Sequence, residues 1–370
     1  IAREEMVVTI THGGYIKRVP LATYRAQRRG GKGRSGMNMK EEDFVSDLFV
    51  ASTHTPILFF TSKGIVHKRK IYQLPLGNPQ SRGKAMVNLL PLEKDEYISV
   101  VMRLPEDEDK LEELDVMFAT SHGTVRRNKL SDFGNIRSNG LIAMKLGNDE
   151  KLVAVKPCRE DEDILLASRG GKAIRFEVPD VRVFSGRTST GVRGIRLQKN
   201  DEVISMSVLK REPEEEQGQS LLCVSEGGFG KRTYASEYRT TKRGGQGVIN
   251  MDLTNKNGNA VAATFPVTED HQVMLVTDAG QLIRMPVHDI RHTGRAAQGV
   301  TLFKVSKGEK VVSVAWLIDE DEEEDKALEE AEDIAEGDDD AATLEPSGDE
   351  PPVAPKPEDD DTGNDDTERS

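Results

Sequence analysis

One unit of sequence recurs six times along the first 318 residues, and a repeat of this kind constrains the fold more than any composition does. Each copy opens with a β-rich run and a Gly turn: VVTITHGGYIKR, ILFFTSKGIVHK, VMFATSHGTVRR, ILLASRGGKAIR, LLCVSEGGFGKR and VMLVTDAGQLIR. The turn glycines, Gly14, Gly64, Gly123, Gly171, Gly228 and Gly280, are spaced by 50, 59, 48, 57 and 52 residues. A second glycine follows 17 to 22 residues later, at Gly36, Gly83, Gly140, Gly191, Gly247 and Gly299, and opens another apolar stretch. Each copy closes on a further β-rich run, such as YISVVMRL or VVSVAWLI. Runs of Val, Ile, Leu, Thr and Phe bounded by Gly or Asn, without a 3.6-residue period, read as antiparallel strands. Four short strands fit in fifty residues. The sequence therefore predicts an all-β body of six four-stranded blades in a radial, propeller-like arrangement, which avoids long exposed sheet edges. The acidic insertions at 106–115 and 211–219 account for the two longest spacings and are expected to be loops between blades.

Charge divides the chain differently. The 370 residues hold 51 Lys and Arg against 64 Asp and Glu, a net of −13. From Asp319 to Ser370 stand 25 acidic residues and only three basic ones, a net of −22. The remainder is left with 48 basic and 39 acidic residues, a net of +9. The tail is rich in Gly, Pro, Asp and Glu, has no aromatics, and cannot bury enough apolar surface to offset its ordering entropy. We therefore expect a propeller-like body over 5–318 and a disordered acidic tail over 319–370, with at most a short helix near Asp325–Ile334. No apolar run approaches 18 residues and the N-terminal stretch lacks a signal-peptide layout, so no membrane contact and a cytoplasmic location are expected. The chain begins at Ile1 rather than Met, which reads as a fragment of a longer protein.

Catalytic signals are missing. The isolated Cys158 and Cys223 read as core thiols in a reducing compartment. His288 and His292 lack a partnering carboxylate pattern, and no nucleophile elbow or Walker A loop is present. Neither a cofactor nor a metal is expected, and the chain is not expected to be an enzyme by itself.

The most specific local signal lies between the two glycines of the first unit, in Tyr24-Arg25-Ala26-Gln27-Arg28-Arg29-Gly30-Gly31-Lys32-Gly33-Arg34. Clustered glycines let backbone N–H groups approach a ligand closely, while Arg28, Arg29, Lys32 and Arg34 bring charge that suits phosphate oxygens. Basic residues recur in the same gap of the other units, at Arg82, Arg137, Arg187, Arg243 and Arg295. A second basic register stands four residues after each first glycine: Arg18, Lys68, Arg127, Arg175, Arg232 and Arg284, with Arg69 beside Lys68. In a radial fold such registers become a charged stripe around the rim, although basic residues after a hairpin turn also serve as edge-strand protection. Aromatics are only 5 %, which argues against a surface that stacks single-stranded bases. Double-stranded DNA held through its backbone is the expected partner; a protein-interaction propeller with a solvated basic rim is the alternative from another class.

The segment Gln27-Arg28-Arg29-Gly30-Gly31-Lys32-Gly33 resembles the box motif in the C-terminal domain of the bacterial DNA gyrase A subunit. The resemblance runs in order through KEEDF at 40–44, IYQLP at 71–75, VNLLPLE at 87–93, TGVRGIRL at 190–197, GKRT at 230–233 and TDAG at 277–280. It implies a six-bladed β-pinwheel whose blades exchange strands and around whose perimeter duplex DNA wraps right-handedly. It also implies a heterotetramer in which the N-terminal cleavage domain of the same polypeptide cuts DNA and the gyrase B subunit hydrolyses ATP. The related A subunit of topoisomerase IV is the nearest alternative, but its C-terminal domain generally lacks an intact box.

Overall fold

The computed structural model describes residues 1–23, 43–211, 219–317 and Lys326. It is a six-bladed β-propeller in which five blades complete their sheet with a strand borrowed from the following unit. In blade 1 the order from the inside outwards is Val45–Ser52, Glu5–Thr11, Tyr15–Pro20 and then Lys84–Ala85, which belongs to the second unit. The same exchange gives blade 2 Leu141–Ile142, blade 4 Val248–Ile249 and blade 5 Val300–Thr301. Blade 3 receives two short strands from the fourth unit, Val183–Phe184 in parallel and Val192–Arg193 antiparallel. Blade 6 consists of Leu282–Pro286, Gln272–Thr277 and Val311–Leu317. The stretch after Gly36, which holds the corresponding place in the first unit, lies outside the described residues.

Both glycine registers are explained by backbone geometry. Gly64 turns the hairpin of blade 2 with φ +78°, and Gly191 enters its exchanged strand with φ +87°. Both values lie in the left-handed region, where a Cβ is disfavoured. A Cβ on Gly191 would also run into the Val125 carbonyl of the blade that receives the strand. Once across, the borrowed segment donates back to the first glycine: Ala143 N to Gly64 O at 2.8 Å, Gly194 N to Gly123 O at 2.8 Å and Asn250 N to Gly171 O at 2.7 Å. The two glycines of the repeat thus serve one joint between neighbouring blades.

The hydrophobic core lies between blades. Leu58, Phe60 and Val66 of blade 2 pack on Val116, Phe118 and Phe133 of the third unit, and equivalent apolar wedges lie between blades 1 and 2, 3 and 4, 4 and 5, and 5 and 6. The rings of Phe60, Phe118 and Phe133 meet with centroids 5.5–6.0 Å apart. The segment 106–115, expected as a loop, instead contains a helix, Glu108–Glu113, capped by the Asp107 side chain, which accepts from Asp109 N. Leu111 on that helix is buried in the wedge between blades 2 and 3 and Leu114 just after it packs on the same wedge, so two leucines order an otherwise largely acidic insertion. The counterpart insertion at 211–219 and the acidic tail lie outside the described residues, except Arg211, Gln219 and Lys326. Trp316 packs on His271 and on Phe265 of blade 5. Both cysteines are buried and free, and desolvation pushes the Cys158 thiol up to about 12.

Because the wedge is shared by two blades, Phe118→Ala is expected to lower unfolding stability by about 3–5 kcal/mol. Denaturant unfolding of the two proteins checks this; equal midpoints would place the core elsewhere.

Candidate nucleic-acid interface

Loops flanking the exchanged strands occupy the outer edge of each blade, since those strands stand last in the sheet order. This is where the basic residues of the sequence divide into two groups.

The register four residues after the first glycine turns inward, a correction to the expected perimeter stripe. Arg127, Arg175 and Arg232 are 3 %, 8 % and 5 % exposed. Arg127 pairs with Asp115 and Glu160, Arg175 Nε donates to Asp163 at 2.9 Å, and Arg232 pairs with Glu269 at 3.1 Å. Burial opposes the Arg127 charge, yet the hydrogen bonds it donates to Asp115 and Glu160 leave its pKa raised. Five members of the register also grip the following unit at or just after a short 3-10 turn. Arg18 Nε donates to Leu74 O at 2.9 Å, Lys68 to Gly134 O, Arg127 Nη1 to Val181 O at 3.2 Å, Arg175 Nη1 to Ala235 O at 2.9 Å and Arg232 Nε to Ile290 O at 2.6 Å. These cations are blade-to-blade braces. Arg69 joins them by donating to Ser138 O of the next unit at 3.4 Å. Arg284 differs: it is exposed and donates to Gln272 of its own blade.

The register four residues before the second glycine sits closer to the rim and also braces. Arg243 donates to Asp180 O at 2.9 Å and Arg193 O at 3.0 Å, and Arg295 to Glu237 O at 3.2 Å and Ile249 O. Arg187 of this register is half-buried; outside the register, Arg137 is exposed and Arg82 lies over the Tyr15 ring at 3.8 Å with Asp43 3.6 Å away. Gln27, Arg28, Arg29, Gly30, Gly31, Lys32, Gly33 and Arg34 lie outside the described residues.

Two exposed registers were missed from the sequence. Arg182, Arg239 and Arg291 stand eleven residues after Gly171, Gly228 and Gly280, immediately beyond the 3-10 turns, and all three are exposed. Lys145, Arg196 and Lys304 stand five residues after Gly140, Gly191 and Gly299 and are exposed too. The signal is present as constant offsets from glycine, but the denser register at four residues masks it. Rim charge therefore comes from these positions together with Arg137, Arg284 and Lys242, spread over several blades rather than gathered in one pocket. Such a distributed field suits a long polyanion better than a small ligand.

The two groups should separate in a stability assay. Arg175→Met removes one of the two arginines that meet the buried Asp163, leaving Arg211 and Thr240, and is expected to cost about 2 kcal/mol, whereas Arg291→Ala should change stability by no more than about 0.5 kcal/mol. Denaturant titration reads both; a neutral Arg175→Met would show that the brace carries no stability.

Comparison with known proteins places this architecture. The family model for the DNA gyrase C-terminal domain, beta-propeller, matches residues 5–52, 55–112, 114–159, 162–210, 219–267 and 271–315, one stretch per blade. The DNA gyrase A subunit of Rickettsia bellii (strain RML369-C) is 50 % identical over 374 residues, covering 89 % of this chain and 41 % of the relative. That of Staphylococcus epidermidis (strain ATCC 12228 / FDA PCI 1200) is 45 % identical over 322 residues, covering 87 % of this chain and 35 % of the relative. The chain thus spans about two-fifths of the length of the curated relatives it matches. Among solved structures, the C-terminal domain of DNA topoisomerase IV superposes with a TM-score of 0.79 at 23 % identity, over 90 % of this chain and 99 % of that one. A DNA gyrase A C-terminal domain superposes with a TM-score of 0.61 at 24 % identity, over 85 % and 100 %. At these identities the two structures show the fold, while the family match along all six blades shows the lineage: the chain belongs to the DNA gyrase C-terminal domain, beta-propeller family.

Proposed function

We propose that this domain binds, bends and wraps duplex DNA right-handedly around its perimeter, without sequence preference, as the C-terminal part of a DNA gyrase A subunit. The observation that carries the reading is the repetition of exposed Arg and Lys at fixed offsets from glycine in successive blades, in a chain whose body is net basic. Backbone contacts of this kind position DNA but do not read bases. Many contacts are needed. A 318-residue body has a radius of gyration of roughly 20 Å, and half a turn of DNA at such curvature costs on the order of 10–15 kcal/mol by elastic estimates. One loop cannot hold that; contacts shared among blades can.

In this reading the box, Gln27 to Gly33 with Arg34, fastens one end of the DNA path. Arg28, Arg29 and Lys32 then matter more for wrapping than for first contact. The proposed division places the wrapping body at 5–318 and an acidic modulating tail at 319–370. Tethered to a basic body, the tail has a high local concentration and competes with DNA for the same side chains. DNA cleavage and ATP hydrolysis are assigned to the N-terminal part of the same polypeptide and to the gyrase B subunit. The domain by itself then turns nothing over, and it acts in the bacterial cytoplasm on the nucleoid. The fold likeness to topoisomerase IV keeps a binding domain of that type as the second reading. The intact box favours gyrase.

The deciding test ligates nicked plasmid in the presence of the domain and measures the linking-number change. We expect a positive shift, larger when 319–370 is removed, and lost on joint replacement of Arg28, Arg29 and Lys32 by Ala while binding persists. Binding without any shift would support the topoisomerase IV type, and no binding would leave an interaction propeller.

A further inference from the structure

Three cations are buried where the fold does not call for charge. They occupy the position three residues after the first glycine in blades 1, 3 and 5: Lys17, Arg126 and Lys231, which are 1 %, 0 % and 0 % exposed. In blades 2, 4 and 6 the same position holds His67, Ile174 and Ile283. The hairpins of blades 2 and 4 match those of the odd blades, so a neutral residue satisfies the local packing and the cation answers to something else. Burying a charge is costly unless it is met by polar groups.

What meets it is the same in all three blades. Lys17 Nζ donates to the carbonyls of Asn78, Pro79 and Ser81 at 3.2, 2.9 and 2.9 Å. Arg126 Nη1 donates to Arg187 O at 2.7 Å and Ser189 O at 2.8 Å, with Nη2 on Ala143 O. Lys231 Nζ donates to Gly294 O at 3.0 Å and to Arg295 O. In each case the main acceptors belong to the rim loop of the following unit, between its 3-10 turn and its second glycine. Desolvation lowers the Lys231 pKa to about 8, which still leaves it charged at neutral pH.

We propose that Lys17, Arg126 and Lys231 are positioning residues for DNA backbone contact, each drawing the carbonyls of one rim loop inward so that the loop's basic side chains face the phosphates from a fixed backbone. Charge-assisted bonds hold a loop harder than neutral ones. A fixed cation beneath the loop, in a medium of low dielectric, adds positive potential at the surface above it. The loops of units 2, 4 and 6 are therefore held, and those of units 3 and 5 lack this clamp because they lie over His67 and Ile174. This clamp, though not the braces from Arg69 and Arg243, thus alternates around the described rim. The proposal rests on the DNA-wrapping reading and adds to it which loops are preorganised and by what.

The test uses the whole chain and a 150-base-pair duplex at neutral pH and moderate salt. Lys231→Met should weaken binding about tenfold, a change equivalent to about 1.4 kcal/mol. Arg291→Ala, a rim residue on the loop that Lys231 holds, should weaken it severalfold. The double variant should lose less than the product of the two, since both act through one loop. Lys231→Arg should restore binding, because Arg126 shows that an Arg fits this register. Hydrogen exchange of the amides at 294–299 should accelerate in Lys231→Met alone among these. Should Lys231→Met fail to fold, Lys17→Met paired with Arg82→Ala carries the same cycle on the loop at 78–82. Wild-type affinity in a folded Lys231→Met, or effects that multiply independently, would overturn the positioning role while leaving DNA binding intact. A wild-type chain that does not bind the duplex would overturn the wrapping reading and this inference together.

Discussion

Everything in this domain depends on the fact that no blade can satisfy itself. A hairpin and one inner strand make a three-stranded sheet with an open edge and two apolar faces, which would leave unpaired backbone groups and apolar side chains in water. Among the described residues, five blades have the open edge closed by short strands from the next unit, and apolar wedges fill the seams from blade 1 through to blade 6. Stability is thereby moved from within the repeat to the joints between repeats. The Gly pair, the borrowed strand and the inward Arg or Lys all act at one joint, so a change in any of them is felt by two blades.

The same economy explains why basic residues in this chain serve different ends at nearly the same height. Four residues after the first glycine a cation lies inside the joint, where carboxylates such as Asp115 and Asp163 stand ready to pair with it. Just past the turn that this cation braces in the following unit, eleven residues after that unit's own first glycine, Arg182, Arg239 and Arg291 are in solvent. The brace fixes the turn, and the turn fixes where the exposed Arg stands. Structure and surface charge are therefore linked within a single blade joint.

The fold was legible because it is written six times. Glycine spacing and β-rich runs specify the number of blades, and the left-handed turns at Gly64 and Gly191 show why only glycine marks them. Strand exchange was not legible from the residues alone: two-residue strands such as Lys84–Ala85 are too short to carry a pattern, and only the family resemblance implied them. The direction of the basic side chains was only half legible. A strand has period two, but whether the outward face of an outer strand meets solvent or the next blade depends on what is packed there, and sequence does not state it. The signal that would have marked Arg127 and Arg175 as buried is the acid twelve residues upstream, Asp115 and Asp163, diagonally across the hairpin from them. The helix at Glu108–Glu113 was hidden for a similar reason, since one Leu among acids has no visible period.

The central claim is that many rim charges, one or more per blade, act together on a continuous DNA backbone. Its most direct test is the salt dependence of affinity for a duplex long enough to follow the perimeter. If six or more phosphates are neutralised, the logarithm of the association constant falls with the logarithm of salt at a slope of about −5 or steeper. A slope no steeper than about −2 would mean contact at one or two phosphates. That result would contradict a wrap held jointly by the blades.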